Sequence, residues 1–148
     1  MNALKLTVAL LTLLTVSGCA TTPMTTATDD ADAKTFTPPK GKANLYVYRG
    51  GGVGSAVAFP LTLDGRRVGT MVPSTYACLS VSPGNHSLTM DSLENAQVKT
   101  VDAKAGALYF FRVEPTIGLL VARVKLSTVD EATGKEVVSR YHRSVTTN

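Results

Sequence analysis

From Ala43 onward, apolar and polar side chains alternate in short runs separated by turns rich in glycine and proline. A period of two marks strands with one buried face. In Ala43 to Arg49 it sets Ala43, Leu45 and Val47 on one side, and Asn44, Tyr46 and Tyr48 on the other. Asp64-Gly65 predicts a two-residue hairpin, because both loop positions take positive φ. Closing it pairs Leu63 with Arg66, Leu61 with Val68 and Phe59 with Thr70. Ser82-Pro83-Gly84-Asn85 fits a type II turn. Pairing across it opposes Val81 to His86, Leu79 to Leu88 and Ala77 to Met90. Gln97 to Asp102 and Ala107 to Glu114 form a third candidate pair. Leu108-Tyr109-Phe110-Phe111 is apolar on both sides, which predicts a central strand covered on both faces. Leu119 to Leu126 is a further strand, with Gly118 as a turn or bulge. Thr128-Val129-Asp130-Glu131 matches a capping box. Beyond it the chain reads as a helix continuing past Gly134, or as one helical turn followed by a strand over Lys135 to His142. The expected fold is mainly β: an antiparallel sandwich or partly closed barrel of six or seven strands, with a short helical segment near residue 130.

Two stretches depart from this pattern. Ala20 to Lys42 is Thr, Ala, Asp and Pro with almost nothing apolar, a composition that does not repay its ordering entropy by burial. It is expected to be a flexible tether reaching at most about 65 Å. Before it, Leu6 to Val16 is apolar or nearly so, behind the single charge of Lys5. That run is shorter than the roughly 20 residues of a membrane-spanning helix. It ends in the small residues Ser17-Gly18, as a secretion signal does. The division expected is residues 1–18 as signal, 19–42 as tether, and 43–148 as a single β domain.

Val16-Ser17-Gly18-Cys19 resembles the bacterial lipobox. The resemblance implies cleavage before Cys19, a diacylglyceryl thioether on its sulfur and acylation of the new amine. Several acyl chains make attachment stable, at about 0.8 kcal/mol per buried CH₂. Ala20 follows the cysteine where inner-membrane lipoproteins of enteric bacteria carry aspartate. By that rule the protein is expected at the outer membrane, facing the periplasm, with the lipid bilayer as its first partner.

The mature chain would then hold 130 residues, enough for one domain with a real core. The formal charge of the whole chain is +4, and removal of Lys5 leaves it dispersed, so nucleic acid is not an expected partner. Cys78 would be the one free thiol of the mature chain.

The candidate chemistry is thin. Gly50-Gly51-Gly52-Val53-Gly54 invites a phosphate-loop reading, yet no Lys-Ser/Thr follows, and the next segment, Ser55 to Pro60, is extended. His86 and His142 stand apart, without the three or four converging ligands that zinc needs. Cys78 falls on the strand face opposite His86, out of reach of a base. No catalytic, cofactor or metal site is expected. Tyr46, Tyr48, Arg49 and Tyr76 form a candidate interaction surface, since tyrosine and arginine are enriched where proteins meet. The competing reading is that a helix or second sheet covers them.

Four blocks carry a further resemblance: Lys42 to Arg49, Leu63 to Gly69, Ser82 to His86 and Ala105 to Phe110. From about Pro39 to Glu136 the chain resembles a proteobacterial lipoprotein family catalogued as domain of unknown function 2846. The succession of strand, Asp-Gly-Arg and Pro-Gly-x-His also resembles the PEGA module of envelope proteins. Neither resemblance brings a catalytic residue. The function expected is a non-enzymatic envelope lipoprotein offering its β domain to another protein or to the cell wall. The alternative is a small-ligand or lipid-binding module, with the Leu108 to Phe111 strand lining a cavity.

Overall fold

The computed structural model describes residues 21–52 and 56–147. Cys19, the signal segment before it, Ala20 and Val53-Gly54-Ser55 of the glycine loop lie outside the described residues.

Nine strands are described: β1 (Ala43–Arg49), β2 (Phe59–Leu63), β3 (Arg66–Met71), β4 (Thr75–Val81), β5 (Gly84–Asp91), β6 (Ala96–Ala103), β7 (Leu108–Thr116), β8 (Arg123–Val129) and β9 (His142–Arg143). Two helices accompany them, α1 (Ala27–Ala33) and α2 (Glu131–Arg140). One sheet runs β8-β7-β1-β4-β9 and the other β3-β2-β5-β6. Leu45, Val47, Leu79, Phe111 and Leu126 of the first meet Phe59, Leu61, Leu88 and Met90 of the second in one core. The fold is the expected sandwich and not a barrel, with more strands than the six or seven expected. Two pairings, β1 with β7 and β4 with β9, are parallel.

The Asp64-Gly65 hairpin forms, and Leu63 lies opposite Arg66. Beyond that pair the register differs from the expected one. A bulge leaves Val68 unpaired, so Leu61 faces Gly69 and Phe59 faces Met71. Val68 and Met71 are both buried. Residues three apart reach the same side of a strand only if the alternation is broken once, which is what the extra residue does.

The other two expected pairings do not form. β4 lies between β1 and β9, and β5 between β2 and β6, so Pro83-Gly84 is a corner between sheets, not a hairpin. β6 pairs with β5, and β7 with β1 and β8. Leu79 and Leu88 do share one core, but from facing sheets. An apolar pattern is satisfied equally by a neighbour in the same sheet and by one in the facing sheet.

The tether expectation is also corrected. Met24 bridges to Ser144, the Thr25 amide donates to the Arg143 carbonyl at 3.0 Å, and Thr26 caps α1 by accepting from the Asp29 amide at 3.1 Å. Residues 24–36 form a layer on the outer face of the five-stranded sheet, where Ala33 and Phe36 join a second core with Tyr46, Tyr76, Cys78, Phe110 and Val138. Composition misleads because much of the holding is polar. Tyr46 Oη donates to the Ala33 carbonyl at 2.7 Å, and Tyr76 Oη donates to Asp30 Oδ1 at 2.7 Å.

The C-terminal helix begins two residues later than the capping-box reading places it. Asp130, not Thr128, is the cap, accepting from the Thr133 amide at 2.9 Å. Thr128 belongs to β8, opposite Phe111. The helix continues through Gly134 to Arg140, so the strand alternative over Lys135 to His142 is replaced by helix and a two-residue β9. The supposed helix breaker has a packing reason. A Cβ at Gly134 would lie 2.3 Å from Phe110 Cγ, so only glycine lets α2 lie on that ring.

Candidate interaction surface

Tyr46, Tyr48, Arg49 and Tyr76 are not a surface: their exposures are 0%, 3%, 1% and 0%. Tyr46 stacks on Phe110 with ring centres 5.0 Å apart, and Phe36 covers it at 5.4 Å. Tyr48 meets Tyr141 edge-on. Arg49 lies over the Phe59 ring and donates to the carbonyls of Met71, at 3.1 Å, and Val57. Burial raises the pKa of Tyr46 and Tyr76 well above the usual phenol value, and lowers that of Arg49. The three tyrosines belong to a second core covered by the helices, whereas Arg49 lies on the opposite, inner face of β1.

Cys78 lies beneath that layer, on the strand face opposite Ala77 and Leu79, with its thiol pKa raised by burial. His86 bridges two turns, its Nδ1 2.7 Å from Asp64 Oδ2 and its Nε2 2.8 Å from the Ser82 carbonyl. Phe110 and Phe111 point to opposite sides of β7, each filled by one of the two cores, so that strand does not line a cavity. His142 is exposed on β9.

The four most exposed large apolar residues gather at one end. Ile117, Leu119 and Leu120, on the β7–β8 loop, are 95%, 87% and 89% exposed, and Leu93, between β5 and β6, is 91% exposed. The expected strand over Leu119 to Leu126 starts only at Arg123, and the residues before it form this loop.

The loop is held by one side chain. Glu94 Oε2 accepts from the Leu119 amide at 2.8 Å and from Arg123 Nε at 3.2 Å. Its Oε1 accepts from the amides of Leu120 and Val121 at 2.5 and 2.9 Å. Those amides, led by that of Leu120, pull the Glu94 pKa down to about 2. Asn95 extends the clamp, exchanging side-chain hydrogen bonds with the Val124 amide and carbonyl. Gly118 is obligatory, because a Cβ there would lie 1.9 Å from the Val121 carbonyl oxygen and 2.4 Å from Glu94 Oε2. An open groove of about 500 Å³, lined by Val57, Phe59, Leu93 and Val121, runs beside the loop. Sequence reasoning missed Glu94, since it lies 25 residues from its first amide partner and no local motif links the two. The one available signal was Leu119-Leu120-Val121, an apolar run without the alternation of a strand.

These features define a small β-sandwich with helices over one sheet and a braced apolar loop at one end. The chain belongs to the family described as protein of unknown function (DUF2846), whose model matches residues 39–124. That stretch spans β1 to the start of β8, so α1 and α2, which cover the second core, lie outside it. An uncharacterized protein of Haemophilus influenzae is 29% identical over 133 residues, covering 89% of this chain and 79% of the relative. No solved structure matches.

Proposed function

We propose that the chain is a lipid-anchored, non-enzymatic protein of a bacterial envelope, joined to the membrane through Cys19, whose β domain binds another envelope protein. The anchor is supported by the apolar run Leu6 to Val16 and the small residues leading into Cys19. Ala20 favours the outer membrane and a periplasmic domain. The observation that carries the binding role is the loop braced by Glu94. Large aliphatic side chains held out in water by fixed backbone are a feature of docking sites, and preorganisation lowers the entropy cost of binding.

The test has two arms. Labelling with a palmitate analogue and intact mass should show acylation of the wild type and its loss in Cys19→Ser, with Cys78→Ser unaffected. A photocrosslinker at position 120 should give a discrete adduct in cells that one at Thr100, on the open face of the other sheet, does not. Retained label in Cys19→Ser rejects the anchor; no adduct specific to position 120 rejects the binding role.

A further inference from the structure

This inference rests on the Cys19 anchor proposed above. Met24 is already paired to the body of the domain and lies five chain steps from Cys19, with four residues between them. Extended, those steps span at most about 17 Å, so the domain has little freedom above the bilayer. The direction in which the chain leaves is also defined. The Val145 amide donates to the Pro23 carbonyl at 2.8 Å, so the segment before Met24 runs antiparallel to the C-terminal tail. That tail follows β4 in parallel and reaches Val68, where the Thr147 amide donates to the Val68 carbonyl. Thr21 is therefore directed along β4 toward the end of the sandwich where Val81, Lys42 and the Asp64-Gly65 hairpin lie. The loop of Ile117 to Leu120 is at the other end and beside the other edge of the five-stranded sheet.

The end toward which Thr21 points is basic. Lys40, Arg66, Arg67 and Lys104 are exposed there, and Lys42 is half-buried. Against these five stand Asp64, engaged with His86, and Asp102, engaged with Lys104. Asp130 and Glu131 follow Val129, which pairs with Phe110, so they lie at this same end, but beside the β8 edge, farthest across the sheet from the departing chain. Asp29 and Asp30 of α1 are tied to Arg143, in the half nearer the apolar loop. At the loop end the charges that reach the surface balance, Asp91, Glu94 and Glu114 against Arg112, Arg123 and Lys125, while Arg49 there is buried. Clustered lysine and arginine next to a lipid anchor are attracted to anionic headgroups.

We propose that the end carrying Lys40, Lys42, Arg66, Arg67 and Lys104 lies on the surface of an anionic phospholipid bilayer, so that the apolar loop is turned away from the membrane that holds the protein. The occupant of the basic end is the headgroup layer, and the orientation follows from a short leash and one-sided charge.

The experiment uses the acylated protein in phosphatidylcholine vesicles, with and without phosphatidylglycerol. A fluorophore is placed on Asn85→Cys or Leu120→Cys and quenched by headgroup-labelled lipid. Cys78 is 5% exposed and does not compete for labelling. The position 85 probe should be quenched several-fold more than the position 120 probe when phosphatidylglycerol is present. The contrast should shrink in 1 M salt, where the screening length falls to about 3 Å. Lys40→Glu with Arg66→Glu, both at exposed positions, should abolish the contrast while the protein stays on the vesicles. Stronger quenching at position 120, or quenching at position 85 indifferent to phosphatidylglycerol, salt and charge reversal, overturns the proposal. Intact mass of the same sample separates the two failures. A chain without lipid on Cys19 removes the anchor and this orientation together, whereas a lipidated chain without charge-dependent quenching removes the orientation alone.

Discussion

At the scale of single residues, the informative positions are those where a side chain, or its absence, settles a contact made by distant parts of the chain. Gly134 is one. On propensity alone, Gly134→Ala should stabilise α2 by about 1 kcal/mol. The Phe110 ring occupies the space the methyl would need, with its Cγ, Cδ1 and Cβ at 2.3–2.6 Å, so the substitution should destabilise the fold by about 1–3 kcal/mol. Urea unfolding would show this against Ala132→Gly, an exposed site on the same helix that should lose only the propensity term; a stabilised Gly134→Ala would contradict the packing. His86 and Asp64 form a second such position. The His86 pKa is raised, chiefly by the hydrogen bond to Asp64. Slight burial pushes the Asp64 pKa up, but the bonds from His86 and the Ser87 amide outweigh it, and the net shift is down. A raised histidine stabilises fully below its unfolded value of about 6.5, and the contribution is lost as pH rises through the folded value. A lowered aspartate stabilises above about 3.9, and the contribution is lost as pH falls through the folded value. The pair should therefore contribute most between about pH 4 and 6.5. Asp64 is half exposed, so screening limits the gain to at most about 1 kcal/mol. The stability gap between wild type and Asp64→Asn should be widest near pH 5.5 and narrow above pH 8; a gap that is flat with pH would show that the pair contributes nothing by charge.

At the scale of elements, most predicted strands form close to where alternation placed them, while their partners differ. Of the connections between consecutive strands of the sandwich, only β2–β3, β5–β6 and β7–β8 join neighbours in one sheet; β8–β9 spans the five-stranded sheet from edge to edge, and the others cross between sheets. The β7–β8 loop stays within one sheet yet is fixed by the other. Residues 92–95 of the four-stranded sheet reach over to fix a loop of the five-stranded sheet through the Glu94 carboxylate. Glu94→Gln removes the charge and one of the two acceptor oxygens that receive three amides. Hydrogen exchange at the amides of Leu119, Leu120 and Val121 should speed up several-fold in the variant, with β1 and β4 unchanged. The folded-state pKa lies below the ordinary carboxylate value of 4.5, so the lock is complete above that value and is lost only as pH falls through about 2. Wild-type protection should therefore persist at pH 3. Equal exchange in the two proteins would show that the loop is held by something other than Glu94.

For the molecule as a whole, two faces of one sheet are buried by two different means. The inner face meets the second sheet through aliphatic packing, and the outer face is closed by α1, Phe36 and α2 through stacked rings and hydrogen bonds. The sequence by itself determined what is local. Period-two alternation placed strands such as β1, Asp64-Gly65 determined a hairpin, and the double-sided apolar character of Phe110 and Phe111 marked a strand covered on both faces. Backbone sterics and the outward alternation of side chains act within a few residues, so these features need no knowledge of the rest of the chain. The tertiary structure alone decided which strands share a sheet, that Tyr46, Tyr48, Arg49 and Tyr76 lie in the interior, that residues 24–36 pack as a layer instead of trailing as a tether, and that Glu94 braces a loop displaying Leu119 and Leu120. Each of these depends on a partner far along the chain, such as Asp30 for Tyr76 or Leu120 for Glu94. An amphipathic pattern states that a side chain will be covered, because burying apolar area is favourable whatever provides the cover. It does not name the covering element, since any surface of suitable shape satisfies the same hydrophobic demand.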